Sequence, residues 1–171
     1  NVSVSTDSAL RLAAVWACVR LISETIASLP LGIYQRNGTG KRYAPEHPLH
    51  SILHDTPNRD STASVMWEAF VAAMLLPGNG LCEKLMLGPR LVGLRFLAPA
   101  RLYIASAAGG AKRYYYTYDD GVQREIPPEK IWRVPGFTLD GSWGVSSIYY
   151  GCNVFGSAQA ASTAATKTFE K

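Results

Sequence analysis

Three histidines, His47, His50 and His54, are the residues of this chain best placed by type and spacing to do chemistry. His50 and His54 are four apart and would project from one face of a helix. With His47 and Asp140 they outline a metal-dependent hydrolase. Such a site needs a Glu beside the first histidine as base, and Ser51 stands there instead. Asp140 precedes Gly141, where a carboxylate is more often a turn residue than an acid. Imidazoles on the surface of a short helix are the simpler reading, so no metal is assigned.

Other chemistries find less support. There is no Gly-x-Ser-x-Gly elbow and no phosphate-cradling Gly-x-x-x-x-Gly-Lys-Ser/Thr motif. Arg113 with Tyr114, Tyr115, Tyr116 and Tyr118 could form a base-stacking platform. Alternating Tyr on a strand is more often a packed sheet face. Cys18, Cys82 and Cys152 are odd in number and far apart, which reads as reduced thiols used as small apolar fillers. No catalytic residue and no cofactor is assigned.

The elements that would carry these residues are organised around the stretch from Asp7 to Leu29. Asp7 is its expected N-cap and Pro30 its stop. Leu12, Val15, Val19, Ile22, Ile26 and Leu29 recur at steps of three and four, the spacing of one buried helical stripe. The opposite side, with Ala13, Trp16 and Ala17, is also apolar. That predicts either a central core helix or one shared with a neighbouring subunit. Arg20 and Glu24 are one turn apart and can pair.

Downstream, a strand is predicted over Leu31–Arg36, turning at Asn37–Gly40 and returning through Lys41–Tyr43. His47-Pro48 opens a short helix. Ser61 or Thr62 caps a second long one over Ala63–Leu76, with Val65, Ala69, Ala72 and Leu76 on one face beside Met66 and Ala73. The pattern then becomes β, in short strands from Leu81 to Val134 that read as an antiparallel meander. A loop, Gly136–Trp143, leads into a helix from Gly144 to the end. Past Phe155 this helix is Ala, Ser, Thr and Gly, marginal alone and suited to close packing on another helix. The fold class is α+β: N-terminal helices packed on the meander, with a C-terminal Ala/Ser-rich helix leaving the domain.

Composition sets the outer limits. The 171 residues are 47% hydrophobic and 18% charged, as in a folded globular domain. The net charge of +4 permits a polyanion nearby without demanding one, and there is no basic arm. The longest apolar run, Ala69 to Pro77, is too short to span a bilayer, and no membrane is expected. The chain opens without Met and stops inside the predicted helix, so it is expected to be a piece of something longer.

The stretch Ala14-Val15-Trp16-Ala17-Cys18-Val19-Arg20-Leu21-Ile22-Ser23-Glu24-Thr25-Ile26-Ala27-Ser28-Leu29-Pro30-Leu31 resembles the N-terminal signature of portal proteins of long-tailed bacteriophages. His47-Pro48-Leu49, Leu53 to Asn58, Gly78-Asn79 and Leu97-Ala98-Pro99 follow in the family's order. Ile126 to Ile131, and then the loop Gly136-Phe137 through Asp140-Gly141 to Gly144, complete it. Two positions depart: Ser146-Ser147-Ile148 replaces the usual Ser-Pro-Ile, and Arg133 stands where His is common.

The resemblance implies a non-enzymatic structural subunit of a ring, usually about twelve copies, at one vertex of the phage head. Residues 1–143 would form a wing-like α+β domain and 144–171 the start of a stem helix. Partners would be copies of itself, the terminase large subunit, a head–tail adaptor, capsid or scaffold protein, and double-stranded DNA without sequence specificity. Its place would be the portal vertex of the virion, or the host bacterial cytoplasm during assembly. Ala13, Trp16, Ala17, Arg20, Gly156, Ala160 and Thr163 are the expected subunit interface. Alternatives of other classes are the His47/His50/His54 hydrolase and a nucleic-acid module built on Arg113 and the tyrosines.

Overall fold

The structure, a computed structural model, describes residues 4–169. The first helix is shorter than its pattern and is broken. α1 (Thr6–Leu10) and α2 (Ala13–Ala27) are separated at Leu12, whose backbone is extended at φ −77°, ψ 117°. No Gly or Pro marks that break. Ser5, not Asp7, is the N-cap of α1. Its hydroxyl accepts from the Ser8 N–H at 3.1 Å, and the Ser8 hydroxyl accepts from the Ser5 N–H at 2.8 Å. Asp7 lies inside the first turn, where its charge favours the positive end of the helix dipole.

A hairpin of β1 (Tyr34–Asn37) and β2 (Gly40–Tyr43) follows. The predicted first strand starts three residues late, although Ile33 still accepts a hydrogen bond from the Ala44 N–H at 2.8 Å. α3 (Pro48–His50) runs on into a π-helical turn, Ser51–Asp55. α4 (Ala63–Leu75) has Thr62 as its N-cap residue, its hydroxyl 3.2 Å from that of Ser64 and not bonded to the helix backbone. Asn58 organises the approach instead, its Oδ1 accepting from the N–H groups of Asp60 and Ser61.

The strands are antiparallel throughout, and beyond the β1–β2 hairpin they divide into two further sheets. β3 (Asn79–Leu87) is central to one, between β4 (Arg90–Phe96) and β8 (Ile131–Pro135). The other is a three-strand meander of β5 (Leu102–Ser106), β6 (Lys112–Thr117) and β7 (Gln123–Ile126). The second sheet is thus an excursion between two strands of the first.

The layers follow from α4, which is apolar nearly all round because it is covered twice. Met66 and Phe70 face the first sheet, in a core with Ile52, Cys82 and Leu94. The face carrying Val65, Ala69, Ala72 and Leu76 meets α2. The single face expected for all six residues is therefore two faces. Phe70 stacks on Trp132 with ring centroids 5.2 Å apart, and Trp67 meets both edge-on. A second core of Leu81, Leu97, Tyr114, Tyr116 and Ile126 joins the two sheets. Cys82 is fully buried, and burial pushes its thiol up to about 12.

The C-terminal helix is also divided. α5 (Ser147–Tyr150) ends at Gly151, and α6 (Cys152–Phe169) begins there. Ser146 caps α5, accepting from the Tyr149 N–H at 3.2 Å. Among the described residues no helix is long and apolar enough to cross a membrane.

Candidate functional site

Two features stand out above the fold: a tightly knotted loop and an uncovered helix face. The loop runs from β8 to α5 and is fastened to the α4–β3 junction. Asn79, 5% exposed, holds both backbone groups of Gly144. Its Nδ2 donates to the Gly144 carbonyl at 2.9 Å, and its Oδ1 accepts from the Gly144 N–H at 3.1 Å. Arg133 donates to the same Oδ1 at 3.2 Å and to the Ser142 carbonyl at 2.8 Å, while its guanidinium lies 4.5 Å from the centre of the Trp143 ring. The Gly136 N–H donates to the Gly78 carbonyl at 2.8 Å, and the Ser146 hydroxyl to the Leu76 carbonyl at 3.0 Å.

Three glycines make this knot possible. A Cβ on Gly136 would lie 2.5 Å from the Met74 carbonyl oxygen. One on Gly144 would overlap the Gly78 carbonyl, and one on Gly78, at φ +94°, would overlap the Val145 carbonyl. Backbone therefore meets backbone at each of them. Gly141, at φ +73°, has open space and supplies only the left-handed turn. Asp140 closes that turn, accepting from the N–H groups of Ser142 at 2.8 Å and Trp143 at 3.0 Å. From this frame Phe137 and Leu139 project, 73% and 64% exposed.

The bonds from the Ser142 and Trp143 N–H groups, with Arg133 nearby, hold the Asp140 carboxyl below the usual carboxylate range. The folded pKa is depressed, so this stabilisation is present above the unfolded value near 4 and is lost as pH falls below it. Asp140→Ala is therefore expected to lower the melting temperature at pH 7. The gap to the wild type should narrow in melts below about pH 4.

The second feature is α2. Its contact with α4 runs along Val19, Ser23 and Ala27, not along the full predicted stripe. Ile22, Ile26 and Leu29 of that stripe are 41%, 46% and 63% exposed, and Leu21 is 67% exposed. α4 presents Ala69 and Ala72 to this side of α2, opposite Val19 and Ser23. Ser23 is 2% exposed.

Of the residues expected at an interface, Ala13, Ala17 and Arg20 are exposed on α2, with Arg20 paired to Glu24 at 2.6 Å. Trp16 is half-exposed at the mouth of the α2–α4 groove. Gly156 is half-buried at the base of α6, where a Cβ would come within 3.5 Å of Val4. Ala160 and Thr163 lie on the part of α6 beyond Gln159, where residues 160–168 are exposed on every side. The hydroxyls of Thr163, Thr166 and Thr168 donate to carbonyls one turn back in α6. Ile22 and Ile26 are absent from the expected surface because their spacing reads equally well as core, and Leu21 lies outside the predicted stripe.

Of the expected metal ligands, the structure groups His50 and His54 with Asp55 rather than with His47 or Asp140. His47 caps α3, its Nδ1 accepting from the Leu49 N–H at 3.2 Å. His50 and His54 stack with centroids 4.8 Å apart. His50 Nε2 is 2.6 Å from the Tyr43 hydroxyl, and His54 Nδ1 is 2.9 Å from Asp55 Oδ1. The carboxylate that joins these two is Asp55, since Asp140 is occupied in its own loop. The tyrosines of the expected stacking platform are divided: Tyr114 and Tyr116 are buried in the inter-sheet core, Tyr115 and Tyr118 are half-buried, and Arg113 faces Glu125 at 3.7 Å.

Large apolar side chains are uncovered on α2, on the loop at Phe137 and Leu139, and also at Leu87, Tyr149 and Val154. The chain belongs to the phage portal protein family, whose pattern it matches over residues 13–171. It is 30% identical over 176 aligned residues to a probable portal protein of Streptomyces phage phiC31, covering 98% of this chain and 38% of that protein. Its fold matches a chain in the neck of an empty GTA particle computed with C6 symmetry, at TM-score 0.78 and 24% identity over 97% of this chain and 46% of that one. It also matches an HK97-family phage portal protein crystal structure from Corynebacterium diphtheriae, at TM-score 0.68 and 14% identity over 99% and 52%. The chain thus spans about half or less of each relative.

Proposed function

We propose that this chain is the wing (residues 1–143) and the start of a stem helix (residues 144–171) of a structural subunit in a portal ring, with no catalytic role. The observation that carries the reading is the outward face of α2. Leu21, Ile22 and Ile26 expose apolar surface that a solitary domain has reason to bury. α6 supports it. Its threonine hydroxyls are satisfied within the helix, so its Ala and Thr surface can be covered without stranding a donor. Neighbouring copies in a cyclic ring meet through two different surfaces, which α2 and α6 can supply.

In this reading Ala13, Trp16, Ala17 and Arg20 join the contact through α2, and Gly156, Ala160 and Thr163 through α6. The loop of Gly136, Phe137, Asp140, Gly141 and Gly144 is a rigid platform for Phe137. DNA passes through the ring without sequence-specific contacts. Terminase, a head–tail adaptor and the capsid meet other faces at the vertex of the phage head.

The test uses the full-length protein. Leu21→Asp with Ile26→Asp should reduce the assembled fraction in sedimentation while shifting the melting temperature little, because both side chains are exposed. Unchanged assembly would remove α2 from the interface. A large fall in melting temperature would show that the chain's own remainder covers this face.

A further inference from the structure

The hairpin β1–β2 is a sheet of only two strands, and among the described residues no other backbone segment bonds to its long edges. A lone hairpin is marginal in water. Its loop is Gly38-Thr39, with Gly38 at φ +56°. The pairs flanking it alternate, so Gln35 and Asn37 turn their N–H and C=O groups toward β2. The backbone groups of Tyr34 and Arg36 therefore point out from the free edge of β1. A cleft of about 560 Å³ is lined by four consecutive residues of this strand and its approach, Ile33 to Arg36, together with Ala44, Glu46, His47 and Pro48.

The hairpin's charge is also unbalanced. Arg36 is directly opposite Lys41, in the type of pair whose side chains stand closest. Like charges there oppose pairing. In the larger sheets, opposite charges meet: Glu83 faces Arg95, and Arg113 reaches Glu125. Arg42 is occupied by Glu46 at 2.6 Å. Among the described residues neither Arg36 nor Lys41 has an ion-pair partner. Tyr34 and Tyr43 share their face, 62% and 45% exposed.

We propose that the free edge of β1 binds an extended acidic segment of a partner protein, which adds as a third strand with a carboxylate opposite Arg36. Backbone pairing supplies affinity in such additions. The Arg36–Lys41 pair supplies selectivity: it attracts carboxylates and repels the identical hairpin of a second copy.

The test follows backbone amides of the purified protein by NMR. The probes are a peptide of about eight residues alternating Glu and Val, the same peptide with Gln for Glu, and a short DNA duplex. The Glu peptide should shift the Tyr34 and Arg36 amides. Arg36→Gln with Lys41→Gln should weaken it at least about tenfold. Arg59→Gln with Lys130→Gln, the same charge loss at exposed positions elsewhere, should leave it unchanged. Equal binding of the Gln peptide would overturn the proposal, as would absence of shifts at β1. So would a duplex that binds through the same two cations more tightly than the peptide.

Discussion

Gly144→Ala is expected to cost at least about 3 kcal/mol, lowering the melting temperature by roughly 8 °C or more in a chain of this size. The added methyl would overlap the Gly78 carbonyl and stand 2.9 Å from the Gly136 nitrogen. Both are backbone atoms, so no rotamer change relieves the clash. The two strands of chain must separate, and that breaks the Asn79–Gly144 pair and the Gly136–Gly78 bond together. Asn79 would then be a buried amide without partners, which is itself costly. Gly40→Ala is the control. Its nearest neighbour is 3.7 Å away and its φ is not positive, so its melting temperature should stay within about 2 °C of the wild type. A Gly144→Ala melt that matches the control would dissolve the interlocked-backbone account of the loop.

The second large effect is at Phe70. Removing this ring should cost about 3–5 kcal/mol, because it stacks on Trp132, meets Trp67 edge-on and closes on Phe96 across the layer between α4 and the sheet. A coupled prediction is sharper. A Cβ on Gly80 would lie 2.7 Å from the Phe70 ring, so Gly80→Ala should destabilise the wild type. In the Phe70→Ala background the obstacle is gone, and Gly80→Ala should then cost much less. A double-mutant cycle by denaturant unfolding reads this coupling directly. Additive effects would mean that the ring and the glycine do not shape one another.

Much of this architecture was legible in the residues. The 3.6-residue pattern of α4, the turn pairs at Gly38 and Gly88, and the Pro-flanked strand ends all announce themselves locally. The break at Leu12 does not, since neither neighbour forbids helix; packing of α1 against Ile148 and Leu76 imposes it. The split of β3 to β8 into two sheets is likewise non-local, set when β8 returns to pair with β3. α2 shows how periodicity misleads. Leu12, Ile22, Ile26 and Leu29 make the better apolar stripe, yet Ser23 is the buried residue of α2 and Ile22, Ile26 and Leu29 are exposed. In the loop, the family motif pointed to Gly136, Asp140 and Gly144. That Asn79, sixty-five residues earlier, is the clamp that holds it could only be read in three dimensions.

The central claim is that α2 and α6 present surfaces made to be covered by further copies. Electron microscopy of the full-length protein tests it most directly. The account predicts closed rings in which Leu21, Ile22 and Ile26 lie under a neighbouring subunit and the helix continuing α6 packs beside its counterparts. Single, unassembled particles with the outward face of α2 bare to solvent would contradict it.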